Sequence, residues 1–244
     1  MKPLLAGIAF LTRIPVGRLV LFDAADVARA AGWFPLIGAL LGLVYGGTAW
    51  LLRGRLPLAM IAILLVVLEA AITGALHFDG LADAADGFGG GKDRDDVLRI
   101  MRDHAIGSYG ATALVLLVGL KATAYAVLLA STNWFYAVAL TPALGRWTLV
   151  LLTGTLPYAR SSPSVVSGMK RSATFLGTAT VLVLIATTRY PRAWVAAAAV
   201  LVVTFCFGYY SRRRIGGITG DVLGANLQLS ESAALIAFLW AARP

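Results

Sequence analysis

Charge is scarce in this sequence. Only 14% of its 244 residues are Asp, Glu, Lys or Arg, 59% are hydrophobic and the mean hydropathy is +0.80, whereas a soluble domain carries about a quarter charged residues. That shortage excludes a soluble globular enzyme and points to an integral membrane protein. Cysteine is almost missing too: Cys206 stands alone in an apolar run, so an intrachain disulfide is excluded and the side chain reads as a small buried hydrophobe. No polar or Pro/Ser-rich tract divides the chain and no internal repeat shows, so residues 1–244 read as a single integral membrane domain. A cleavable signal is also lacking, because Arg13, Pro15 and Arg18 interrupt the first apolar stretch before an h-region is complete. That opening reads as a short amphipathic or partly inserted segment.

Acidic residues are the rarest charged group, 12 against 21 basic ones, for a net charge of +9. The basic residues are scattered among loops that flank apolar runs and form no stripe or nucleic-acid motif, so nucleic acid is not the partner indicated. Membrane lipids with anionic headgroups, and phosphate-bearing ligands, are. Whether copies of the chain associate as a homo-oligomer is left open by the sequence.

What is present is a series of apolar runs. A helix needs about 20 apolar residues to cross about 30 Å of hydrocarbon, and six runs qualify: 30–52, 56–76, 112–130, 134–152, 175–188 and 193–210. Phe175 to Thr188 is short, and a seventh run from Glu231 to Ala242 is too short to span comfortably. The fold class expected is therefore all-α, a polytopic membrane helix bundle of six to seven transmembrane helices with short cytoplasmic interfacial segments. Gly38 and Gly42 form a GxxxG that lets two helix backbones approach. Five tryptophans near span ends suit an interfacial belt. With a cytoplasmic N-terminus most of the Lys and Arg residues fall inside, which puts the 77–110 stretch and the 156–171 and 209–229 loops on the cytoplasmic side of a bacterial or archaeal inner membrane.

Seven of the 12 acids lie between His77 and Gly110. If the helix of the preceding run continues, an advance of about 100° per residue sets Asp79, Asp83 and Asp86 within a wedge of roughly 60°. Three carboxylates on one face repel one another unless cations sit between them, and such hard oxygen ligands suit Mg²⁺ or Mn²⁺ together with substrate phosphates. Glu69, on the same helical advance, falls within roughly 100° of all three, and an acid that deep in an apolar run is a functional candidate. Asp93, Asp95 and Asp96, interleaved with Lys92 and Arg94, read instead as a wet face. The glycines Gly87, Gly89, Gly90 and Gly91 either end the helix beside a ligand or form a simple linker. Asp93 to Arg102 reads as a short surface helix, after which Asp103 is a candidate to join the site. Lys121 and Arg146, inside spans, face a polar cavity or clamp phosphate. Near the C-terminus Gly216, Gly217, Thr219 and Gly220 precede a single acid, Asp221, and a glycine-rich turn leading into a helix offers backbone N–H groups to phosphate.

Four stretches, FLTRIPVG from Phe10, HFDGLADAADG with the following IMRDHAIGSYG, YAR at Tyr158 to Arg160, and GGITGDVLGA from Gly216 with Glu231 beyond, resemble the cobalamin-5'-phosphate synthase family, also called adenosylcobinamide-GDP ribazoletransferase. They run in order along nearly the whole chain; Phe78 departs from the family, which more often has a polar or acidic residue there. The resemblance implies a transferase in which an oxygen of α-ribazole, or of its 5'-phosphate, attacks the cobinamide-linked phosphorus of adenosylcobinamide-GDP and expels GMP, with Mg²⁺ as cofactor. On that reading Asp79, Asp83 and Asp86 hold metal with Glu69 or Asp221 completing the set, one aspartate serves as base, and Arg102, Arg160 and Lys170 bind the diphosphate. Two rivals share the aspartate-rich signal, CDP-alcohol phosphotransferases and prenyltransferases, but their second aspartate clusters are not reproduced. A divalent-cation transporter would place acids at the bilayer midplane, and most here lie at a helix end.

Overall fold

The computed structural model describes residues 2–16, 21–160 and 171–240. Among them are eleven α-helices: α1 (Lys2–Leu11), α2 (Ala24–Ala30), α3 (Phe34–Leu52), α4 (Leu58–Thr73), α5 (Leu76–Gly90), α6 (Arg94–Ile100), α7 (Ser108–Leu129), α8 (Trp134–Thr155), α9 (Arg171–Thr188), α10 (Arg192–Ile215) and α11 (Gly220–Trp240). The all-α membrane bundle expected from composition is what forms. Five helical stretches are long and apolar enough to cross a membrane: 24–52, which joins α2 and α3 through a 3₁₀ turn, then α7, α8, α10 and α11. Burial separates them into two kinds. In α8 and α11, 78% of the apolar window is buried inside the bundle, against 33% in α7 and α10, so the first two are central and the second two turn most of their surface to lipid.

The GxxxG pair of α3 works as its spacing suggests. A Cβ added to Gly38 would lie 2.7 Å from the Ala143 Cα, and one added to Gly42 would lie 2.6 Å from the Ala139 carbonyl carbon. α3 and α8 therefore meet backbone to backbone. Cys206, expected to be buried, is exposed on α10, on one of the two lipid-turned helices, where a small apolar side chain costs nothing.

Two corrections change the topology. The helix through the 56–76 run does not continue into the aspartates: α4 ends after 16 residues and α5 departs at 92°. The break lies at Gly74 and Ala75, both left-handed (φ +64° and +58°). An alanine there is strained by its Cβ, and the Arg13 N–H, donating to the Ile72 carbonyl at 2.7 Å, helps hold the elbow. α4 and α5 cannot both follow the membrane normal, and α5, with its three aspartates, is not one of the five stretches long and apolar enough to cross a membrane on its own.

The second correction concerns the 209–229 loop. α10 runs on to Ile215 and α11 starts at Gly220, so the loop shrinks to the turn 216–219. The short final run is the end of a 21-residue helix. Asn226 and Gln228 lie in the stretch expected to be loop, yet they and Ser230, Glu231 and Ser232 beyond it are all buried, at 6% exposure or less. They form an inward polar stripe on a membrane helix, in which Gln228 and Glu231 bond Lys121 and Asn226 and Ser230 reach Thr204.

Candidate active site

α5 and α11 cross almost in backbone contact. A Cβ on Gly80 would sit 3.0 Å from the Asp221 carbonyl oxygen and 3.2 Å from the Gly224 Cα, and one on Gly224 would sit 3.3 Å from the Cα atoms of Gly80 and His77. The glycine of the DG pair and the second glycine of GDVLGA are thus each other's contact, which neither motif reveals alone. The crossing brings Asp79 and Asp83, on either side of Gly80, to Asp221 in the first turn of α11.

The electrostatics follow from that approach. The Asp83 carboxyl is pushed up to about 6, first by partial burial, then by the charges of Asp79, Asp221 and Asp86, while Arg160 opposes the rise. Asp221 is tied to Arg160 Nη2 at 2.7 Å and accepts from the Thr219 hydroxyl at 3.3 Å. Arg160 arrives through a small parallel bridge. The Ile218 N–H donates to the Pro157 carbonyl at 2.9 Å and the Ala159 N–H to the Ile218 carbonyl at 2.8 Å, so the YAR and GGITGD stretches are joined by backbone.

On its other side Arg160 lines an open cleft of about 360 Å³ with Arg94, Asp95, Leu98, Arg99, Arg102 and Ala159. Arg102 and Arg160 were expected to act together and do share this cleft. Lys170 lies outside the described residues. Arg94 and Arg99 were missed, because the 92–96 run reads as a wet face. The available signal was spacing: Asp95 and Arg99 stand one helical turn apart on α6, and Arg102 follows three residues later, just past its end.

Several candidates have other duties. Asp86 is buried and accepts the backbone N–H groups of Gly107 and Gly110 at 2.7 and 2.8 Å, closing the start of α7; each of its oxygens already holds an orphan helix donor. Asp103 is exposed and accepts from the Ala105 N–H; it belongs to a surface turn. Glu69, carried away by the elbow, is 1% exposed and bonded to Lys121 and Gln228, so it cannot complete a site on α5. Lys121 and Arg146 do not clamp phosphate, being fully buried against Glu69 and Glu231.

The glycine turn is a docking element more than an open cradle. Gly216 ends α10 at φ +80°, and Gly217 is pressed against the Pro157 carbonyl, where no side chain fits. Thr219, buried, accepts from the Val222 N–H at 3.2 Å. Gly220 alone faces open space. Gly87 and Gly89 likewise serve packing: added Cβ atoms would meet Met101 at 2.5 Å and the Tyr109 ring at 2.6 Å.

The class is now defined: a polytopic membrane protein with carboxylates of two crossing helices and an arginine-lined cleft at one end of its bundle. The chain belongs to the cobalamin-5-phosphate synthase family, whose profile matches residues 3–239, and is a transferase of cobalamin biosynthesis. It is 39% identical over 242 residues to the adenosylcobinamide-GDP ribazoletransferase of Sinorhizobium medicae (strain WSM419), covering 94% of this chain and 92% of that one. The enzyme of that name from Azorhizobium caulinodans is 41% identical over 254 residues (98% and 96%), and that from Chlorobium phaeovibrioides 36% over 227 (90% and 89%). No solved structure matches.

Proposed function

We propose that this transferase joins adenosylcobinamide-GDP to α-ribazole or its 5'-phosphate, giving adenosylcobalamin or its 5'-phosphate and GMP, with Mg²⁺ as cofactor, on the cytoplasmic face of an inner membrane. The observation that carries the reading is that the helices bearing Asp79, Asp83 and Asp221 cross in backbone contact while Arg160, paired with Asp221, also walls the arginine cleft. Carboxylates for a cation and guanidiniums for a diphosphate thus stand side by side.

The donor set fits a divalent ion. All three side chains offer only oxygen, and the Asp83 carboxyl is raised first by partial burial and then by the negative charges of Asp79, Asp221 and Asp86, a crowding that a cation relieves. Among the described residues no three His, Cys, Asp or Glu stand close enough to hold an ion unaided, so an Mg²⁺ bound here would have to keep waters and take substrate phosphate oxygens beside one or two carboxylates. Bound there, it supplies neutralising charge at the phosphoryl oxygens. Arg160 and Arg102 hold the diphosphate as charge-assisted donors. Asp83 or Asp79 takes the proton from the attacking α-ribazole hydroxyl as its new P–O bond forms and the bond to GMP breaks. Purified protein in lipid, given adenosylcobinamide-GDP, α-ribazole and Mg²⁺, is expected to release GMP; none released sinks the proposal.

Two further outcomes are expected. The Asp83 carboxyl, at about 6, is protonated at lower pH and then neither accepts a proton nor holds a cation. At subsaturating Mg²⁺ the rate should drop about tenfold per unit below that pH, and higher Mg²⁺ should move the fall to lower pH, since ion and proton compete for the same oxygens. A rate that stays flat from pH 5 to 8 contradicts this. Gly80→Ala forces a Cβ to 3.0 Å from the Asp221 carbonyl, so α5 and α11 must part by a few tenths of an ångström. Turnover is expected to fall about 10- to 100-fold; an unchanged kcat would show that the crossing does not set the geometry.

A further inference from the structure

The cleft holds four guanidiniums and, among the described residues lining it, one acid, Asp95. In sequence that acid looks like part of a solvated charge run. Its setting is more organised. Arg94 donates from Nε to the Ile215 carbonyl at 3.1 Å and from Nη2 to the Ala159 carbonyl at 2.7 Å, so its guanidinium is pinned between the end of α10 and the YAR stretch. Its remaining nitrogen, Nη1, holds Asp95 Oδ1 at 3.0 Å. Among the described residues Oδ2 takes no hydrogen bond, and the side chain is 87% exposed at the cleft.

A carboxylate with both oxygens presented as acceptors complements one kind of nucleobase edge. Guanine carries N1–H and the exocyclic N2–H₂ side by side, two donors spaced for two carboxylate oxygens; adenine presents an acceptor at N1, and xanthine replaces the 2-amino group with a carbonyl. The rest of the cleft is suited to the remainder of a nucleotide. Arg99 and Arg102 offer guanidiniums suited to phosphate, or to guanine O6 and N7, and Arg160 joins the cleft to Asp221.

We propose that this cleft is the nucleotide subsite of the transferase and that Asp95, held by Arg94, reads the guanine base. The inference rests on the function proposed above and adds to it the residue that sets base specificity. The diphosphate lies at the Arg160 end, nearest the carboxylates, and the base at the Asp95 end.

Substrates carrying guanine, hypoxanthine or xanthine, compared by kcat/KM, test this. The wild type is expected to prefer guanine over xanthine by about 100-fold, the worth of hydrogen bonds to a charged group. Asp95→Asn should erase or reverse that preference, because its amide oxygen still accepts from N1–H while its NH₂ donates to the xanthine 2-carbonyl. Asp96→Asn, which removes a neighbouring charge bonded instead to Arg99, should leave the ratio unchanged. The relative affinities of GMP and XMP, measured by calorimetry, give the same ratio without turnover. If Asp95→Asn keeps the wild-type ratio in both measurements, or Asp96→Asn shifts it equally, the base-reading role is wrong although the transferase reading stands. If the wild type forms no cobalamin product from the guanine substrate, the transferase reading itself falls.

Discussion

Asp83→Asn is expected to lower GMP release at least about a thousandfold, roughly 4 kcal/mol of transition-state stabilisation, while leaving the protein folded. The expectation follows from where Asp83 sits. It is half-buried on α5, faces the charges of Asp79 and Asp221, and is the carboxylate whose protonation the surroundings disturb upward to about 6. An amide of the same shape keeps the packing and loses the negative charge that a divalent ion and the attacking hydroxyl's proton both require. The neighbouring substitutions sort the roles. Asp79→Asn should also cost activity, since Asp79 flanks the same crossing. Asp86→Asn should act on stability, because its two oxygens accept from Gly107 and Gly110 and an amide can accept with only one. Asp103→Asn, on an exposed turn, should be near neutral. The comparison is made with kcat at saturating Mg²⁺ and melting temperature on the same preparations. If Asp83→Asn retains more than a tenth of wild-type kcat, the crossing of α5 and α11 is not where the chemistry happens.

The parts of this architecture carried by local pattern could be read from the chain. Apolar runs gave the spanning class, the i, i+4, i+7 spacing put the aspartates on one face, and Gly38 and Gly42 marked a close helix contact. What could not be read depended on partners far along the chain. The elbow at Gly74 and Ala75 was hidden because alanine is the last residue expected at positive φ, and assuming an unbroken helix is what drew Glu69 into the site. That α11 runs unbroken from Gly220 is hidden because Gln228 looks like a surface residue until Lys121, over 100 positions earlier, is brought against it. Arg94 illustrates the same limit. Nothing near it in sequence shows that it bonds carbonyls 65 and 121 residues away.

The second large effect is expected at the buried ion cluster, far from the cleft in role. Lys121 Nζ lies 2.8 Å from Glu69 Oε1, 2.6 Å from Glu231 Oε2 and 2.9 Å from Gln228 Oε1, so its three donors are all used. Glu231 is shared with Arg146. Two acids and two bases, none more than 1% exposed, leave the interior of α4, α7, α8 and α11 neutral. Lys121→Met removes one cation and strands a carboxylate in a low-dielectric setting, for which about 3–5 kcal/mol is lost when a buried pair is broken from one side. In a chain of this size that corresponds to a fall in melting temperature of about 6–20 °C. The deciding variant is the double replacement Lys121→Met with Glu69→Gln, which removes one charge of each sign and restores neutrality through Arg146 and Glu231. Because the two residues touch, their effects should not add: the double variant should regain most of the loss, whereas independent packing defects would make it the least stable of the three. Melting curves of wild type, both single variants and the double in one detergent distinguish these outcomes. Since the cluster ties α11 to α4 and α7 below the crossing with α5, recovered stability should bring recovered turnover, the aspartates having been displaced only through the helix that carries Asp221.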